Sequence, residues 1–551
     1  MRRLGVVVLA ALLGCVGRID GGGPLPGEGP GPELPVTGGG GAGPTTGGGA
    51  AASGAMGRTV LHRLSRVELV NVLTDTLGAE AAARVPELND PLVQGLDTNA
   101  DALTVSSSTV DSMFDLASRI ASGVNVSSLG ACTAGTPERD CARQRLTRLS
   151  LRLLRRPATP DELTSYLGLW DSVRARESAT VATQAVVQRL LLTPDFLYHV
   201  EVGDPVTGRL DNYEMASRLA FLAWESAPDQ ALYDAAAAGT LTTPAGARAQ
   251  LERLLAHPRG VRTMQRFFEL WSDLGKLDSL TKDPAAYPDF EALRAPMRDE
   301  FSRFIEGLLS RGGTVNELLT SRETTVDAAL AGFYGVTAPA SGTARVTLPP
   351  ERAGGFLTQA AFLAIHGKAQ RSGPILRGLF VRERLLCAPV PPPPPGVSAT
   401  IPPGTVTDRT TREYFHTLTA GPACQGCHTL INPVGFTYEG FDGIGRARTL
   451  DNGLPVDTAT DIVGSGDLDG PTRDAAELSR KLASSEQVRS CLSRSWFRSR
   501  FRRQERGGDE RIITAMAEAL RRDGDRLSSL ATALAQQDAL FFAHFHVPET
   551  P

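Results

Sequence analysis

The chain has 551 residues, enough for several domains with large apolar cores, and its 41% hydrophobic and 21% charged residues are ordinary for a globular protein. A net charge of −4 is small for this length. Composition therefore gives no indication of nucleic-acid binding, or of a charge-driven attachment to an anionic membrane surface.

The first residues are typical of an export signal, which we place at 1–19. Arg2 and Arg3 form a basic region, and the apolar run 4–13 is too short to span a bilayer as a mature helix. The run ends in LLGC, which resembles a bacterial lipobox, so Cys15 is predicted to be lipidated and to become the mature N-terminus. An ordinary secretory signal with nearby cleavage is the alternative. A lipid anchor is the only membrane attachment predicted, at the outer membrane on its periplasmic or surface face.

Residues 20–57 are mostly Gly, Pro, Ala and Thr, which predicts a flexible tether. Beyond it, apolar residues recur at helical spacing and strand signals are scarce up to residue 336. This pattern predicts an all-α region, with 244–272 strongly helical. Three boundaries are well marked by an N-cap residue followed at the third position by Glu: Ser65–Glu68, Thr159–Glu162 and Asp211–Glu214. We divide this body into the helical domains 58–130, 131–204 and 205–340.

Two cysteines, Cys132 and Cys141, bracket a short polar loop. In an oxidising compartment this spacing favours a disulfide over a metal pair. The chain then continues through 341–472, where a Pro run at 391–395 predicts a rigid polyproline II arm and Asn452-Gly453 predicts a β-hairpin. The last segment, 473–551, is again helical.

The most informative stretch is the CxxCH word formed by Cys424, Cys427 and His428. In this pattern two thiols bond to haem vinyl groups and the adjacent His binds the iron. The chain has only 7 Cys and 8 His, so the word is improbable by chance. The sequence therefore predicts one covalent haem c. A zinc or thiol-redox site is the alternative, although zinc needs two further ligands and no second Cys pair stands at that spacing.

The haem needs a fixed proximal ligand and a sixth ligand. His428 Nε2 is the predicted proximal ligand, and by resemblance to small cytochromes c the Pro433 carbonyl is its predicted second hydrogen-bond acceptor. No Met lies between the motif and Met516. The sixth ligand stays open: the candidates are His416, His366, Met516, His544 and His546, and His416 and His366 rank first because both lie near the motif in sequence.

Two further features belong to the haem hypothesis. Unpaired thiols beside a haem are a liability in an exported protein, so we predict a Cys387–Cys491 disulfide. Six arginines between Arg494 and Arg506 have two interpretations: a solvated helix face, or a dock for haem propionates or an acidic redox partner.

Several runs resemble one family of large exported bacterial proteins built from tandem domains of unknown function (fifteen-eighty-seven, fifteen-ninety-five, fifteen-ninety-two, fifteen-eighty-eight and fifteen-eighty-five, in that order). The resemblance is carried by FLTQAAFLA at 356–364, RSGPILRG at 371–378, CQGCH at 424–428, NPVGF at 432–436 and EGFDGIGR at 439–446. It implies a haem-c-bearing helical protein of unknown activity. This chain departs from the pattern at His199, where Arg is common, at Asn432, where Asp is common, and at Gly440, where a polar residue is usual.

The predicted fold is mainly α: a multi-domain helical body, a small cytochrome-c-like module with a short β-hairpin, and a C-terminal helical segment. The predicted function is electron transfer between the haem and a redox partner protein or polymeric substrate bound by the helical body. A haem enzyme of the peroxidase or oxidase type is the alternative, and a non-catalytic surface-binding lipoprotein with a structural haem is a third hypothesis. The motif does not specify whether the protein is an enzyme.

Overall fold

The computed structural model describes residues 61–88, 90–103, 107–391, 408–506 and 508–543. The predicted signal segment with Cys15, the tether at 20–57, most of the Pro run and the pair His544 and His546 lie outside these ranges. All of the described residues fall in one compact unit. Within the described ranges, no helix has both the length and the apolar character that a membrane span requires.

The N-terminal part is a helical bundle, as predicted. Its helices are α1 (Arg66–Leu77), α2 (Ala79–Ala82), α3 (Ser107–Ser122), α4 (Glu138–Leu154), α5 (Pro160–Arg174), α6 (Ala179–Leu191) and α7 (Pro194–Leu197). They enclose an apolar core in which Leu73, Leu146 and Val186 are fully buried. The predicted capping boxes at the starts of α1 and α5 are both present, because each N-cap hydroxyl and each third-position Glu satisfies a backbone N–H that the helix leaves without a partner.

The central part begins with the third predicted capping box, at Asp211 and Glu214. It contains α8 (Asn212–Trp224), α9 (Gln230–Ala237), α10 (Pro244–Ala256), α11 (Pro258–Trp271), α12 (Lys276–Ser279), α13 (Phe290–Ser310), α14 (Val315–Thr320) and α15 (Ala328–Tyr334). The segment predicted as strongly helical, 244–272, is two helices. Pro258 has no N–H to continue α10, and His257 instead caps the start of α11.

Strand pairing occurs at three places in the described chain. Strand β1 (Glu323–Val326) pairs antiparallel with β2 (Ala344–Thr347), with Thr324 opposite Val346. The expectation of an all-α region up to residue 336 is therefore wrong at β1, whose four residues are too short to produce a clear alternating pattern.

The remaining strands follow the CxxCH helix. They are β3 (Leu450–Asp451) with β4 (Leu454–Pro455), and β5 (Thr460–Ile462) with β6 (Gly470–Thr472). The predicted hairpin is present between β3 and β4. Its central residues Asn452 and Gly453 have φ values of 51° and 80°, and two positive φ angles are what a two-residue turn with the right-handed strand twist requires.

Helices also make up most of the C-terminal half. They are α16 (Ala360–Ile365), α17 (Pro374–Phe380), α18 (Thr411–Leu418), α19 (Pro422–Phe436), α20 (Ala475–Ser484), α21 (Glu486–Phe501), α22 (Glu510–Arg522) and α23 (Ser529–Leu534). A π-helical turn, Val381–Leu385, extends α17. One hydrophobic core runs from Leu96 to Ala543 through the central and C-terminal parts. A separate cytochrome-c-like module is not distinguished by a core of its own.

Both predicted cysteine pairs lie at disulfide geometry. The Cα atoms are 5.5 Å apart in Cys132–Cys141 and 5.3 Å apart in Cys387–Cys491. The second bond joins the chain just beyond α17 to the middle of α21, across a sequence separation of 104 residues.

Candidate functional site

The CxxCH word lies in the first turns of α19, which begins with Gly421 as N-cap and Pro422 at its first position. A proline is tolerated there because the first helical N–H has no intrahelical acceptor. The two thiols are free and half-exposed, and they stand three residues apart, with the imidazole of His428 in the position after the second. Residues three and four apart share one face of a helix, so Cys424, Cys427 and His428 lie on the same side of α19.

Helix α19 is held against α17 at very short range. A Cβ atom on Gly435 would collide with the Pro374 carbonyl, and one on Gly378 would collide with the Ile431 carbonyl. Glycine at these two positions therefore lets the two backbones touch. This contact fixes the far half of α19, while its CxxCH half faces solvent.

The ring of His428 is oriented by Asn432, four residues later on the same helix. His428 Nδ1 lies 2.9 Å from Asn432 Oδ1, and Asn432 Nδ2 donates to Thr419 Oγ1 at 2.8 Å. The Thr419 hydroxyl in turn donates to the Phe415 carbonyl at 2.7 Å. Pro433 stands next to this chain but takes no part in it. The predicted Pro433 acceptor is therefore not the partner of His428 in this structure, because the continuous helix brings the side chain at the fourth position to the ring instead.

The direction of each hydrogen bond in this series follows from the Phe415 carbonyl at its end. The Phe415 carbonyl can only accept, so the Thr419 hydroxyl donates to it and accepts from the Asn432 amide. The Asn432 oxygen then faces His428, and His428 Nδ1 must carry a proton to donate to it. In the neutral ring Nε2 is left with a free lone pair, which is the tautomer that a metal-ligating histidine needs.

Helix α18, which supplies Thr419 and Phe415, is anchored by a buried polar cluster. The Thr411 N–H donates to Asp451 Oδ2 at 2.5 Å, and Arg448 donates to the other oxygen of Asp451 at 2.6 Å. Arg448 also donates to Glu439, three residues past the end of α19, which accepts a hydrogen bond from Ser372 as well. Burial raises the pKa of Glu439, with the Arg448 guanidinium opposing it. The cluster therefore ties α18, the end of α19 and the hairpin together.

The structure separates the predicted sixth-ligand candidates. His416 is exposed in the last turn of α18. His366 is buried between the rings of Phe362 and Phe380, and its Nδ1 lies 3.0 Å from the Phe362 carbonyl. Burial lowers the pKa of His366 to about 4. Met516 is fully buried in the hydrophobic core. Both buried side chains are core residues here, and His416 stays a prediction.

Five of the six arginines between Arg494 and Arg506 pair with carboxylates and form neither the predicted solvated face nor an open dock for an anionic partner. Arg506 alone among these six is exposed. Arg500 and Arg503 are almost fully buried, and they pair with Glu225 at 3.1 Å and with Asp509 at 2.5 Å. Arg502 is buried against Glu68 at 2.6 Å. The basic run instead joins α21 and the residues after it to the N-terminal and central helices.

Glu68 belongs to the same network and is 1% exposed. Besides Arg502, its carboxylate contacts two further groups. Its Oε2 atom accepts from the Ser65 N–H at 2.9 Å and lies 3.2 Å from His199 Nε2. Burial alone would raise the pKa of Glu68, but Arg502 and His199 hold it well below its usual value. Burial, together with Arg502, lowers the pKa of His199 to about 4. The departure from the family pattern at His199 therefore falls in a buried polar cluster, where a neutral imidazole meets an ionised carboxylate.

Sequence reasoning identified Glu68 as a helix cap and did not identify it as the partner of Arg502. The two residues are 434 positions apart, and no local pattern reports such a pairing. Asn432 was noted only as a family departure. Its position four residues after His428 would bring the two side chains together in a helix, and this spacing was the available signal for their contact. Pro433, however, argues against a continuous helix at that point.

Among the residues that the structure describes, no three His, Cys, Asp or Glu side chains converge closely enough to hold a single metal ion. Tetrahedral zinc needs such convergence. Haem attachment does not need three converging ligands, because the two sulfurs bond to the porphyrin edge and only the imidazole binds the metal. The residues of α19 thus fit a c-type haem, with Cys424 and Cys427 as thioether donors and His428 as the axial ligand.

Five families match the chain in tandem, each described as a protein of unknown function. The matches are DUF1587 at 62–125, DUF1595 at 141–201, DUF1592 at 210–336, DUF1588 at 353–451 and DUF1585 at 470–540. No curated protein and no solved structure matches the chain. The CxxCH helix lies in the DUF1588 segment, and the Glu68–Arg502 pair joins the first matched segment to the last. The order of the five matches is the predicted one, and the chain belongs to this family of tandem-domain proteins of unknown function.

Proposed function

We propose that this protein is an exported, lipid-anchored c-type haem protein that transfers electrons between a redox partner and a substrate or partner bound by its helical body. The observation that carries the proposal is the hydrogen-bond chain from Phe415 through Thr419 and Asn432 to His428. It leaves Nε2 available as a ligand on the face of α19 that also bears two free thiols. A surface histidine in an ordinary helix has no need of a buried amide to set its tautomer.

The residues of α19 would act as follows. Each thiol would add across a haem vinyl group, with sulfur bonding to one carbon and hydrogen to the other, so nothing is oxidised or reduced. Asn432, held by Thr419, would keep the proton on His428 Nδ1 and the ring at a fixed angle. When bound, the haem supplies a one-electron redox centre whose potential depends on its axial ligands and on burial.

The export and anchoring part of the proposal rests on the N-terminal signal and on Cys15. Two cysteine pairs at disulfide geometry also suit an oxidising compartment. Replacing Cys15 by Ala should release the protein from the membrane fraction and abolish labelling by radioactive palmitate. Retention of both would contradict lipidation at this cysteine.

The haem itself is tested by producing the full chain with a cytochrome c maturation system. We expect a haem that resists acid acetone extraction, a pyridine haemochrome spectrum of the c type, and a protein mass raised by one haem. Cys424→Ala with Cys427→Ala should lose all three signals. The matched control is Cys132→Ala with Cys141→Ala, which removes the other short-range cysteine pair and should keep them. A colourless wild-type protein with two free thiols would refute the proposal.

A haem enzyme is the second candidate, and the burial of His366 and Met516 favours testing it. With these two side chains packed in the core, His416 is the one described candidate that is exposed. If neither His416 nor one of the candidates outside the described ranges, His544 and His546, binds the iron, the sixth site is open to small molecules. Carbon monoxide, cyanide and peroxide should then change the haem spectrum of the wild type, whereas a spectrum that changes only in His416→Ala assigns His416 as the ligand and favours electron transfer.

A further inference from the structure

Away from the CxxCH helix, a cavity of about 310 Å³ lies between α1, the end of α8 and α11. This volume is within the range of small-ligand sites. Its most prominent feature is a row of three arginines, Arg259, Arg262 and Arg266, which follow one face of α11 at spacings of three and four residues. The cavity therefore has one strongly basic wall.

Two of these arginines already have carboxylate partners. Arg259 pairs with Asp75, and Arg266 pairs with Asp97 and, at 3.1 Å, with Glu225. Burial raises the pKa of Asp97, with the Arg266 guanidinium opposing it, and Glu225 supplies a second carboxylate to Arg266. The positive charges of Arg259 and Arg266 are thus largely balanced within the protein.

Arg262 is different. Its side chain is exposed at the cavity, and within the described ranges it has no ion-pair or hydrogen-bond partner. Glu225 is shared with Arg500, at 3.1 Å, so four arginines stand against the three carboxylates of Asp75, Asp97 and Glu225. The group keeps a surplus of about one positive charge, and Arg262 is its unpaired member. Glu225 in the same lining would repel a second negative charge on a ligand.

The adjacent residue, Thr263, supplies an independent observation. It is only 5% exposed, it lines the cavity, and its hydroxyl has no hydrogen-bond partner in the part of the chain that the structure describes. Its oxygen is not one of the fully buried polar atoms without a partner in the described ranges, so it is reached from the cavity and can hydrogen-bond to water or to a ligand there.

The opposite side of the cavity is preformed. The Trp224 ring is fixed by a hydrogen bond of 2.8 Å from its Nε1 to the Leu254 carbonyl and by the Arg259 guanidinium, 5.0 Å from the ring. The Asn71 amide donates to the Glu225 carbonyl at 3.1 Å, which ties α1 to the end of α8. The Trp224 side of the cavity is therefore held in place before a ligand arrives, which lowers the cost of binding.

We propose that this cavity is a binding site for a small organic monoanion, with its carboxylate on Arg262 and a neighbouring hydroxyl or carbonyl on Thr263. A planar guanidinium matches a carboxylate through two parallel hydrogen bonds. A dianionic phosphate is less suited, because the surplus is one charge and Glu225 stands in the wall. This site is independent of the haem proposal, since it shares no residue with α19.

Isothermal titration of the full chain with acetate, benzoate and glucuronate, at constant ionic strength, tests the site. At least one of the three carboxylates should bind. If glucuronate binds, glucose, its neutral counterpart, should bind at least about tenfold more weakly. Arg262→Gln should weaken binding about tenfold or more, and Thr263→Val by about two- to tenfold. Arg303→Gln, which removes an exposed arginine from α13, is the matched control and should leave binding unchanged.

Three results would overturn the inference: no binding of any of the three carboxylates, equal binding by wild type and Arg262→Gln, or an equal loss in Arg303→Gln. Thermal unfolding of each variant without ligand separates lost binding from lost folding. Because Arg262 is exposed and has no partner within the described ranges, its replacement should leave the unfolding temperature unchanged.

Discussion

The buried pair of Glu68 and Arg502 provides a direct test of how the ends of this chain are joined. Arg502 donates to Glu68 Oε1 through Nη2 at 2.6 Å and through Nε at 3.2 Å, and the side chains of Arg502 and Glu68 are 10% and 1% exposed. Replacing Arg502 by Met keeps most of the side-chain volume and removes the charge. It leaves the Glu68 carboxylate buried beside His199, whose pKa is lowered to about 4 in the wild type by burial together with Arg502.

The expected cost follows from this burial. Breaking a buried ion pair by removing one partner typically costs about 3 to 5 kcal/mol, because the other charge loses both water and its counter-ion. Breaking a solvent-exposed ion pair of similar geometry costs less than about 1 kcal/mol of unfolding free energy. Arg139 and Asp171 form such a pair, at 2.9 Å with side chains 51% and 40% exposed, so Arg139→Met is the matched control.

Urea unfolding of the two variants, followed by tryptophan fluorescence, measures the difference. Arg502→Met should lower the free energy of unfolding by about 3 to 5 kcal/mol and Arg139→Met by less than about 1 kcal/mol. Adding Glu68→Gln to Arg502→Met should recover part of the loss, because the amide carries no charge that needs a partner. If the two single variants cost the same, or the double variant is no more stable than Arg502→Met, the reasoning is wrong.

Three further predictions test other parts of the structure. Asn432→Leu removes the acceptor at His428 Nδ1, so the ring nitrogen chemical shifts should report a larger Nε2-protonated fraction than in the wild type. Burial raises the pKa of Glu300 to about 7, so its contribution to stability is fully present below the unfolded value of about 4.5 and is lost as pH rises through 7. Glu300→Gln should remove a decline of about 3 kcal/mol across that range in urea titrations. Cys387→Ser with Cys491→Ser opens a cross-link spanning 104 residues and should cost about 4 to 5 kcal/mol under oxidising conditions, but nothing in reductant.

Each of these has a matched control and a contrary result. Asn316→Leu, an exposed asparagine on α14, should leave the His428 tautomer unchanged, and the same tautomer in Asn432→Leu would exclude the proposed orienting role. Glu306→Gln, on the exposed side of α13, should keep the wild-type dependence of stability on pH, and a Glu300→Gln variant that also keeps it would contradict the burial argument. A Cys387→Ser, Cys491→Ser variant as stable as the oxidised wild type would show that the bond does not form.

Local signals in the sequence located many elements of the fold correctly. The capping boxes at Ser65, Thr159 and Asp211, the Asn452-Gly453 turn and both cysteine pairs are where they were predicted. These features depend on residues within a few positions of one another or, for Cys387–Cys491, on counting the thiols that remain. Short-range geometry determines them, so the sequence reports them directly.

Other features depend on contacts that no local pattern encodes. The α19 helix passes through Pro433 because Gly435 and Gly378 let it lie directly on α17, and that packing outweighs the loss of one helical hydrogen bond. The helix in turn brings Asn432, and not the Pro433 carbonyl, to His428. Sequence reasoning predicted His428 as the axial ligand, and only the packed structure identified Asn432 as the partner of its ring.

By itself the sequence determined the family, the mainly helical character, the Cys132–Cys141 pairing and the position of the CxxCH word, because each is written in residue type and short spacing. The Cys387–Cys491 pairing followed from the number of thiols that remained. Only the tertiary structure decided that the arginines of α21 and the residues after it are internal partners of Glu68 and Glu225, and that three arginines of α11 line a cavity with one of them unpaired. The physical reason is that the free energy of a charged side chain depends on its burial and on its counter-ion. Both are set by segments hundreds of residues away.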